Sequence, residues 1–398
     1  MTTTRVLPAL VIGAGLSGLG AAHALAEAGI ACRVLEAEAR PGAPWRARHP
    51  QLRLNTHRTL SALPGRALPR AAGAFPHRDA VADYLEAYAD ALPTPIAYGV
   101  RVGRIARDGG AWRVETDAGV LRARNVVVAT GRDRVPFVPR WPGAEAWAGR
   151  IVHARDLGPV ARYRGRRVLV VGAGNSGMDA LNHLIGAGTA ALWVSVREGP
   201  TIFPKRLLGF PVQRLAPLLA RLPVPVLDRL LSGMQRLVFG DLRRVGLPEP
   251  GTGGATRLVE GGVAPAIDDG AVAAMKDGRI AVLPAIARFT PEAVHLADGR
   301  AVHPHVVIAA TGYRSGLGAM LDGLDVLDAR GFPLISGAEQ REGAPGLFFA
   351  GMKPGLAGFF HEAGRGGRAI ARAIARRERE AALPAAAAAA GPGAREAA

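Results

Sequence analysis

The sequence predicts an α/β protein with two Rossmann-like dinucleotide-binding units, the second inserted in the first. Two glycine-rich stretches predict it, Leu10-Val-Ile-Gly-Ala-Gly-Leu-Ser-Gly18 and Leu169-Val-Val-Gly-Ala-Gly-Asn-Ser-Gly177. Each closes an apolar run, opens a helix-compatible segment and leads to a second β-like run, residues 31–36 and 191–197. The third observation is a pair of buried-strand patterns ending in Ala-Thr-Gly, residues 125–131 and 305–313, one after each glycine-rich unit.

In the first loop, Gly13 permits a tight turn, Gly15 leaves room for a pyrophosphate and Gly18 lets helix and strand pack. Ser17 lies in the same turn, where free N–H groups and the helix dipole favour an anion. Glu36, at the end of the next strand, is the acid that can accept both ribose hydroxyls. Gly172, Gly174 and Gly177 repeat the pattern, with Asn175 and Ser176 between them. The position equivalent to Glu36 holds Arg197, with Ser195 nearby. A carboxylate would repel a 2′-phosphate and an arginine pairs with it, so the second unit is expected to take NADPH in preference to NADH.

Residues 160–300 are expected to form the NADPH domain, with a helical lid at 204–240. They interrupt an FAD domain of residues 1–159 and 301–380. A glycine-ended run at 346–351 must return to the first nucleotide. Residues 251–262 are expected to be a loop, 364–376 a final helix and 381–398 a low-complexity tail. Val226, Leu227, Leu230, Leu231, Met234, Leu237 and Val238 share a helical face. Core packing is the first reading of that face, and a substrate channel or a membrane contact are the others.

Composition excludes several classes. The net charge is +17, with 47 Arg and 3 Lys scattered along the chain, so nucleic-acid binding is not expected. Cys32 is the single cysteine, which excludes a disulfide framework, a zinc knuckle and a CxxC redox pair, and fits a reducing cytoplasm. No metal is expected. Residues 1–4 are polar, the apolar run after them leads straight into a glycine-rich turn, and the apolar region 207–239 is broken by Pro211, Pro217, Pro223, Pro225 and several Arg, so neither a signal peptide nor a membrane span is expected. A monomer or homodimer is expected.

Further stretches carry a resemblance. Pro41-Gly-Ala-Pro-Trp45 is similar to a GGxW element, with Ala43 for the second glycine. Leu52-Arg-Leu-Asn-Thr-His57, then Leu63-Pro-Gly65, is followed by Phe75-Pro-His-Arg-Asp79 and Tyr84-Leu-Glu-Ala-Tyr88. Trp147, Gly149, His153 and Leu157 approximate FxGxxxHxxx(W/Y/F), with Trp147 for Phe and Leu157 for the last aromatic. Met352 follows Gly351 where many flavoproteins have Asp, and Gly355-Leu-Ala-Gly358 resembles a closing turn. Over residues 5 to about 378 the chain thus resembles the class B flavoprotein monooxygenases, in the branch that includes the plant YUCCA-type indole-3-pyruvate enzymes.

The resemblance implies that FAD contacts Trp45, Leu54, Thr56, Val102, Ala129, Thr130, Gly131 and Gly351, and that Thr311 and Gly312 also line the nucleotide sites. It implies that NADPH reduces FAD and that the reduced flavin takes up oxygen as a C4a-(hydro)peroxide. One oxygen atom then passes to a small-molecule substrate. Asn55 is the candidate catalytic group, whose carboxamide can bond a cofactor ribose and the peroxide; capping a turn is its other reading. His153 is expected to couple the domains. The competing functions are an NADPH:acceptor reductase or NADPH oxidase, and a non-enzymatic redox sensor. The substrate is left open among amines, sulfur compounds, ketones and 2-oxo acids.

Overall fold

The structure is a computed structural model that describes residues 6–389. Its first unit is built on seven strands. Six are β1 (Leu7–Ile12), β2 (Cys32–Leu35), β3 (Ile96–Ala97), β4 (Val102–Asp108), β5 (Ala111–Thr116) and β6 (Gly119–Val128), in the spatial order β3-β2-β1-β6-β5-β4. The seventh, Leu347–Phe349, pairs parallel with β6. The last four residues of β1 and the last four of β6 are buried on both faces, the pattern of a parallel strand covered on both sides. β4, β5 and the first half of β6 form an antiparallel meander instead.

The helix α1 (Leu16–Glu27) joins β1 to β2, α2 (Ala43–Arg46) is one short turn, and α3 (Arg78–Asp90) precedes β3. The chain crosses to opposite sides of β1 on leaving it and on returning as β6. That reversal opens a crevice at the carboxyl ends of β1 and β6, where doubly wound sheets bind ligands.

The second unit repeats the plan with five parallel strands. They are β7 (Arg150–His153), β8 (Arg167–Val171), β9 (Ala191–Ser195), β10 (Ala281–Leu283) and β11 (Val306–Ala309), in the order β10-β9-β8-β11-β7. Helix α4 (Asn175–Leu184) joins β8 to β9. The expected domain boundaries at 159/160 and 300/301 therefore move outward. Strands 150–153 and 306–309 belong to the second sheet, because β11 pairs with both β8 and β7. Hydrogen-bond pairing of Val306 with Val168 and with Arg150, far apart in the chain, decides this, and local composition does not reveal it.

Between β9 and β10 lie α5 (Ala216–Leu219), α6 (Val224–Phe239), α7 (Gly254–Val259) and α8 (Ala271–Lys276). The expected loop at 251–262 thus contains a helix. Asp228 makes it possible by accepting from the backbone N–H groups of Ala255 and Thr256 at the α7 N-terminus. The apolar face of α6 divides. Leu227 and Leu231 are buried against Phe203 and Ala255, whereas Val226, Leu230 and Leu237 are exposed. Core packing accounts for half of that face.

The strand Leu347–Phe349 is β12, and the chain ends in α9 (Phe359–Ala389), which crosses α1. A Cβ on Gly367 would stand 2.6 Å from the Gly20 carbonyl oxygen, so glycine sets how closely these helices approach. Leu19, Leu25, Ile370 and Ile374 are fully buried there, and each contributes roughly 1.5–3 kcal/mol of burial. The final helix is longer than the expected 364–376 and takes in the start of the expected tail at 381–398. Its Ala, Arg and Glu content favours helix. Residues 390–398 and the polar 1–4 lie outside the described residues.

Candidate functional site

The two glycine-rich loops are built alike, atom for atom. Gly13 donates to Leu35 O at 2.7 Å and Gly172 to Ser195 O at 2.9 Å. Ala129 donates to Ile12 O at 2.8 Å and Ala310 to Val171 O at 2.9 Å. Gly13 and Gly172 have φ of +102° and +99°, a region that L side chains avoid. A Cβ at Gly18 would lie 1.8 Å from Gly13 O, and one at Gly177 would lie 1.9 Å from Gly172 O. These glycines let each helix start directly against the loop backbone.

Gly15 and Gly174 differ from them. A Cβ at either would meet nothing within 4 Å. They are the N-caps of α1 and α4, and no side chain bonds either helix start. Each loop is therefore an open cradle of backbone N–H donors, as a pyrophosphate requires. Glu36 closes the first cradle. Its carboxylate accepts from Ala14 N at 2.6 Å and Glu38 N at 2.9 Å. A carboxylate has acceptor capacity left for ribose hydroxyls.

Around the first crevice the structure gathers most of the expected residues. Ala129, Thr130 and Gly131 follow β6, and the Thr130 hydroxyl is buried with no partner. That orphan hydroxyl fits a bound nucleotide. Gly351 packs on Ser17, where a Cβ would stand 2.0 Å from the serine Oγ. Trp45 packs against Phe360 at 6.4 Å between centroids, and Leu54 is buried in the core below it. Thr56 bonds Ser61 at 2.5 Å. The side chain of Val102 lies in the core with Leu35 and Trp112, which leaves its backbone for any contact.

Arg134 was not expected. Its Nη1 is buried without a partner, and burial lowers the guanidinium pKa while Glu36 opposes the shift. Its spacing three residues beyond Gly131 is the one signal the sequence offers.

In the second crevice two expected hydroxyls have partners within the chain. Ser195 is buried and donates to Pro284 O at 2.7 Å, which ties its hydroxyl proton to the sheet. Thr311 donates to Phe137 O at 2.5 Å, so its hydroxyl joins two chain segments where Thr130 keeps its own free. Arg197 is exposed beyond the end of β9. Gly312 bonds His153: the ring accepts from Arg155 N at 3.0 Å through Nδ1 and meets Gly312 O at 3.0 Å through Nε2. His153 therefore carries its proton on Nε2, and burial lowers its pKa. It stacks edge-on to Tyr313, whose hydroxyl accepts from Arg48 of the first unit at 2.5 Å. The histidine supports the contact between units and is not placed as a base.

Residues 48–57 carry further contacts across that seam. Asn55 Nδ2 donates to Asn175 Oδ1 at 3.4 Å, and Asn175 in turn donates to Ala264 O and Pro265 O. Ser176 stands next to it in the first turn of α4. His57 N donates to Gln213 Oε1 at 2.8 Å. His49 Nε2 meets Asp179 Oδ2 at 2.9 Å, and His183, one turn along α4, meets Asp179 Oδ1 at 3.5 Å. Burial alone would raise the Asp179 carboxyl, yet hydrogen bonds from the two histidines outweigh it and bring the group down to about 2. The sequence offered the i, i+4 spacing of Asp179 and His183 but no sign of His49.

A family model described as pyridine nucleotide-disulphide oxidoreductase matches residues 10–202. The chain is 34% identical over 355 residues to indole-3-pyruvate monooxygenase YUCCA1 of Oryza sativa subsp. japonica, covering 88% of this chain and 87% of that protein. Among solved structures, a flavin-containing monooxygenase from Stenotrophomonas maltophilia superposes with a TM-score of 0.70 at 25% identity, covering 93% of this chain and 98% of that one. A bacillithiol disulfide reductase from Bacillus cereus shares the fold, with a TM-score of 0.66 at 21% identity over 94% and 100% of the two chains. Disulfide chemistry does not transfer here, because Cys32 is alone and burial raises its thiol pKa.

Two measurements check the site. Gly15→Ala should leave the unfolding midpoint within about 0.5 kcal/mol of the parent yet lower the dinucleotide content of the purified protein. Unchanged content would show that the open space at Gly15 is not a phosphate cradle. Asp179→Asn should destabilise the chain at neutral pH by on the order of 2 kcal/mol. The Asp179 pKa is depressed in the folded state, so its stabilisation is present above the ordinary 3.8 and is lost as the pH falls toward 2. Parent and variant should converge over that window in urea titrations.

Proposed function

The chain belongs to the class B flavin monooxygenases, and from that premise we propose how its residues carry out the reaction. It is an NADPH-dependent FAD monooxygenase, an oxidoreductase that places one atom of molecular oxygen in a small organic substrate. The observation that carries this is the 34% identity to a named monooxygenase across nearly the whole of both chains, joined to two open glycine cradles in the right order. A reductase, an oxidase or a redox sensor is not favoured by that match.

Bound at these sites, FAD supplies the oxygen-activating redox chemistry and NADPH the reducing equivalents. The chain positions and shields them. The first cradle, with Gly13, Gly15, Ser17 and Gly18, would hold the FAD pyrophosphate, and Glu36 its ribose. Thr130 and the backbone at Gly131 and Gly351 would hold other parts of the FAD. The second cradle, with Gly172, Gly174 and Gly177, would hold NADPH, and Arg197 would pair with its 2′-phosphate. Asn55, bonded to Asn175 beside the second cradle, would hold a cofactor ribose through its carboxamide. The contacts of Arg48, His49 and Asn55 tie the two units together beside the sites. The relatives' names point to indole-3-pyruvate, a 2-oxo acid, as the first substrate to try.

The reaction is tested with labelled oxygen. One 18O atom should enter the product for each NADPH consumed. Hydrogen peroxide accounting for all of the NADPH would establish the oxidase instead. In the same assay Asn55→Ala should lower the product formed per NADPH, and unchanged coupling would remove Asn55 from the mechanism. For Arg197→Ala, the ratio of kcat/KM with NADPH to that with NADH should fall about tenfold or more, the worth of a charge-assisted bond. A ratio equal to the parent's would assign the phosphate to another residue.

A further inference from the structure

In the chain between β9 and α5, the antiparallel pair Arg206–Leu207 and Phe210–Pro211 forms a hairpin with Leu208-Gly209 at its tip. Leu208 is 100% exposed. It also has φ of +48°, the one non-glycine residue at positive φ among the described residues. Such a turn position ordinarily holds glycine, asparagine or aspartate. A leucine there is strained and packs on nothing, so the folded chain gains no stability from it. Its exposure leaves it free to meet something outside the chain.

The surroundings say what. Leu207 and Phe210 flank the tip and are exposed, and Leu218 is 64% exposed on α5. The pattern continues in the exposed stripe of α6, where Leu237 is 86% exposed. Six cations lie between residues 205 and 236, namely Lys205, Arg206, Arg214, Arg221, Arg229 and Arg236. Asp228 is the one acid in that span, and it is turned to the α7 N-terminus. At the hairpin base an open cleft of about 240 Å³ is lined by Arg53, Lys205, Arg206, Phe75 and Asp269.

We propose that this hairpin docks the protein on an anionic lipid surface, with Leu208 inserted among the acyl chains and the flanking cations on the headgroups. An apolar tip with Arg206 in one hairpin strand and Arg214 over the Phe210 ring is the arrangement of interfacial attachment, which needs no spanning helix. None of the described helices is long and apolar enough to cross a membrane. A symmetric contact with a second copy would set cation against cation, which disfavours that occupant. Gln213, just beyond the hairpin, accepts from His57 N, so docking would bear on the segment that crosses the first crevice.

Sedimentation of the full chain with vesicles tests the proposal independently of activity. The protein should pellet with vesicles containing phosphatidylglycerol, bind poorly to pure phosphatidylcholine, and be released by salt. Leu208→Asn suits the positive φ, so its folding stability should be equal or higher, while vesicle binding should fall about tenfold. Arg288→Glu, on an exposed strand elsewhere, should bind as the parent does. The proposal is overturned if the parent ignores anionic vesicles, if Leu208→Asn binds them undiminished, or if Arg288→Glu loses as much as Leu208→Asn. A dimer in ultracentrifugation that Leu208→Asn dissolves would overturn it in favour of self-association. Failure on vesicles combined with Leu208-dependent capture of an acidic protein would also overturn it.

Discussion

Everything in this molecule depends on how closely a helix start can approach a strand end. Gly18 lies against the carbonyl of Gly13, and Gly177 against that of Gly172, at distances that admit no side chain. Because the helix begins there, its first N–H groups project into the crevice instead of toward solvent at random. The same closeness puts β6 and β11 beside their loops, since Ala129 and Ala310 pair with the residues just before the glycines. One steric constraint, met twice, therefore sets both sheets and both nucleotide cradles.

The second organising feature is the seam. A segment of ten residues, 48–57, leaves the first unit and meets the second through Arg48, His49, Asn55 and His57. Each contact is polar, although His49 Nδ1 is buried without a partner. Hydrogen bonds fix an angle between two bodies in a way that apolar contact does not, because they are directional. That suits a site assembled from two nucleotides whose reacting rings must meet. The buried Asp179 lies between two histidines, whose hydrogen bonds keep it charged where burial opposes the charge.

The lid segment shows how a helical pattern can mislead. Seven apolar residues of α6 share a face, and periodicity reads that as one buried stripe. The structure buries Leu227 and Leu231 and leaves Val226, Leu230 and Leu237 outside. The helix packs on a small cluster with Phe203 and Ala255, too narrow to cover the whole face. Period fixes which residues align, and the width of the partner fixes how many are covered.

The sequence by itself determined both nucleotide loops, Glu36, the Ala-Thr-Gly strand ends and the absence of a cysteine pair. These are local: a glycine at positive φ, an acid at a strand end and the lack of a thiol partner hold whatever else the chain does. Tertiary structure decided the rest. It moved the strands at 150–153 and 306–309 into the second sheet, turned Ser195 to Pro284 and left Thr130 free where Thr311 is bonded. It also brought His49 to Asp179 across 130 residues. Those outcomes follow from which segments lie beside one another, and no local pattern records a neighbour that distant in the chain.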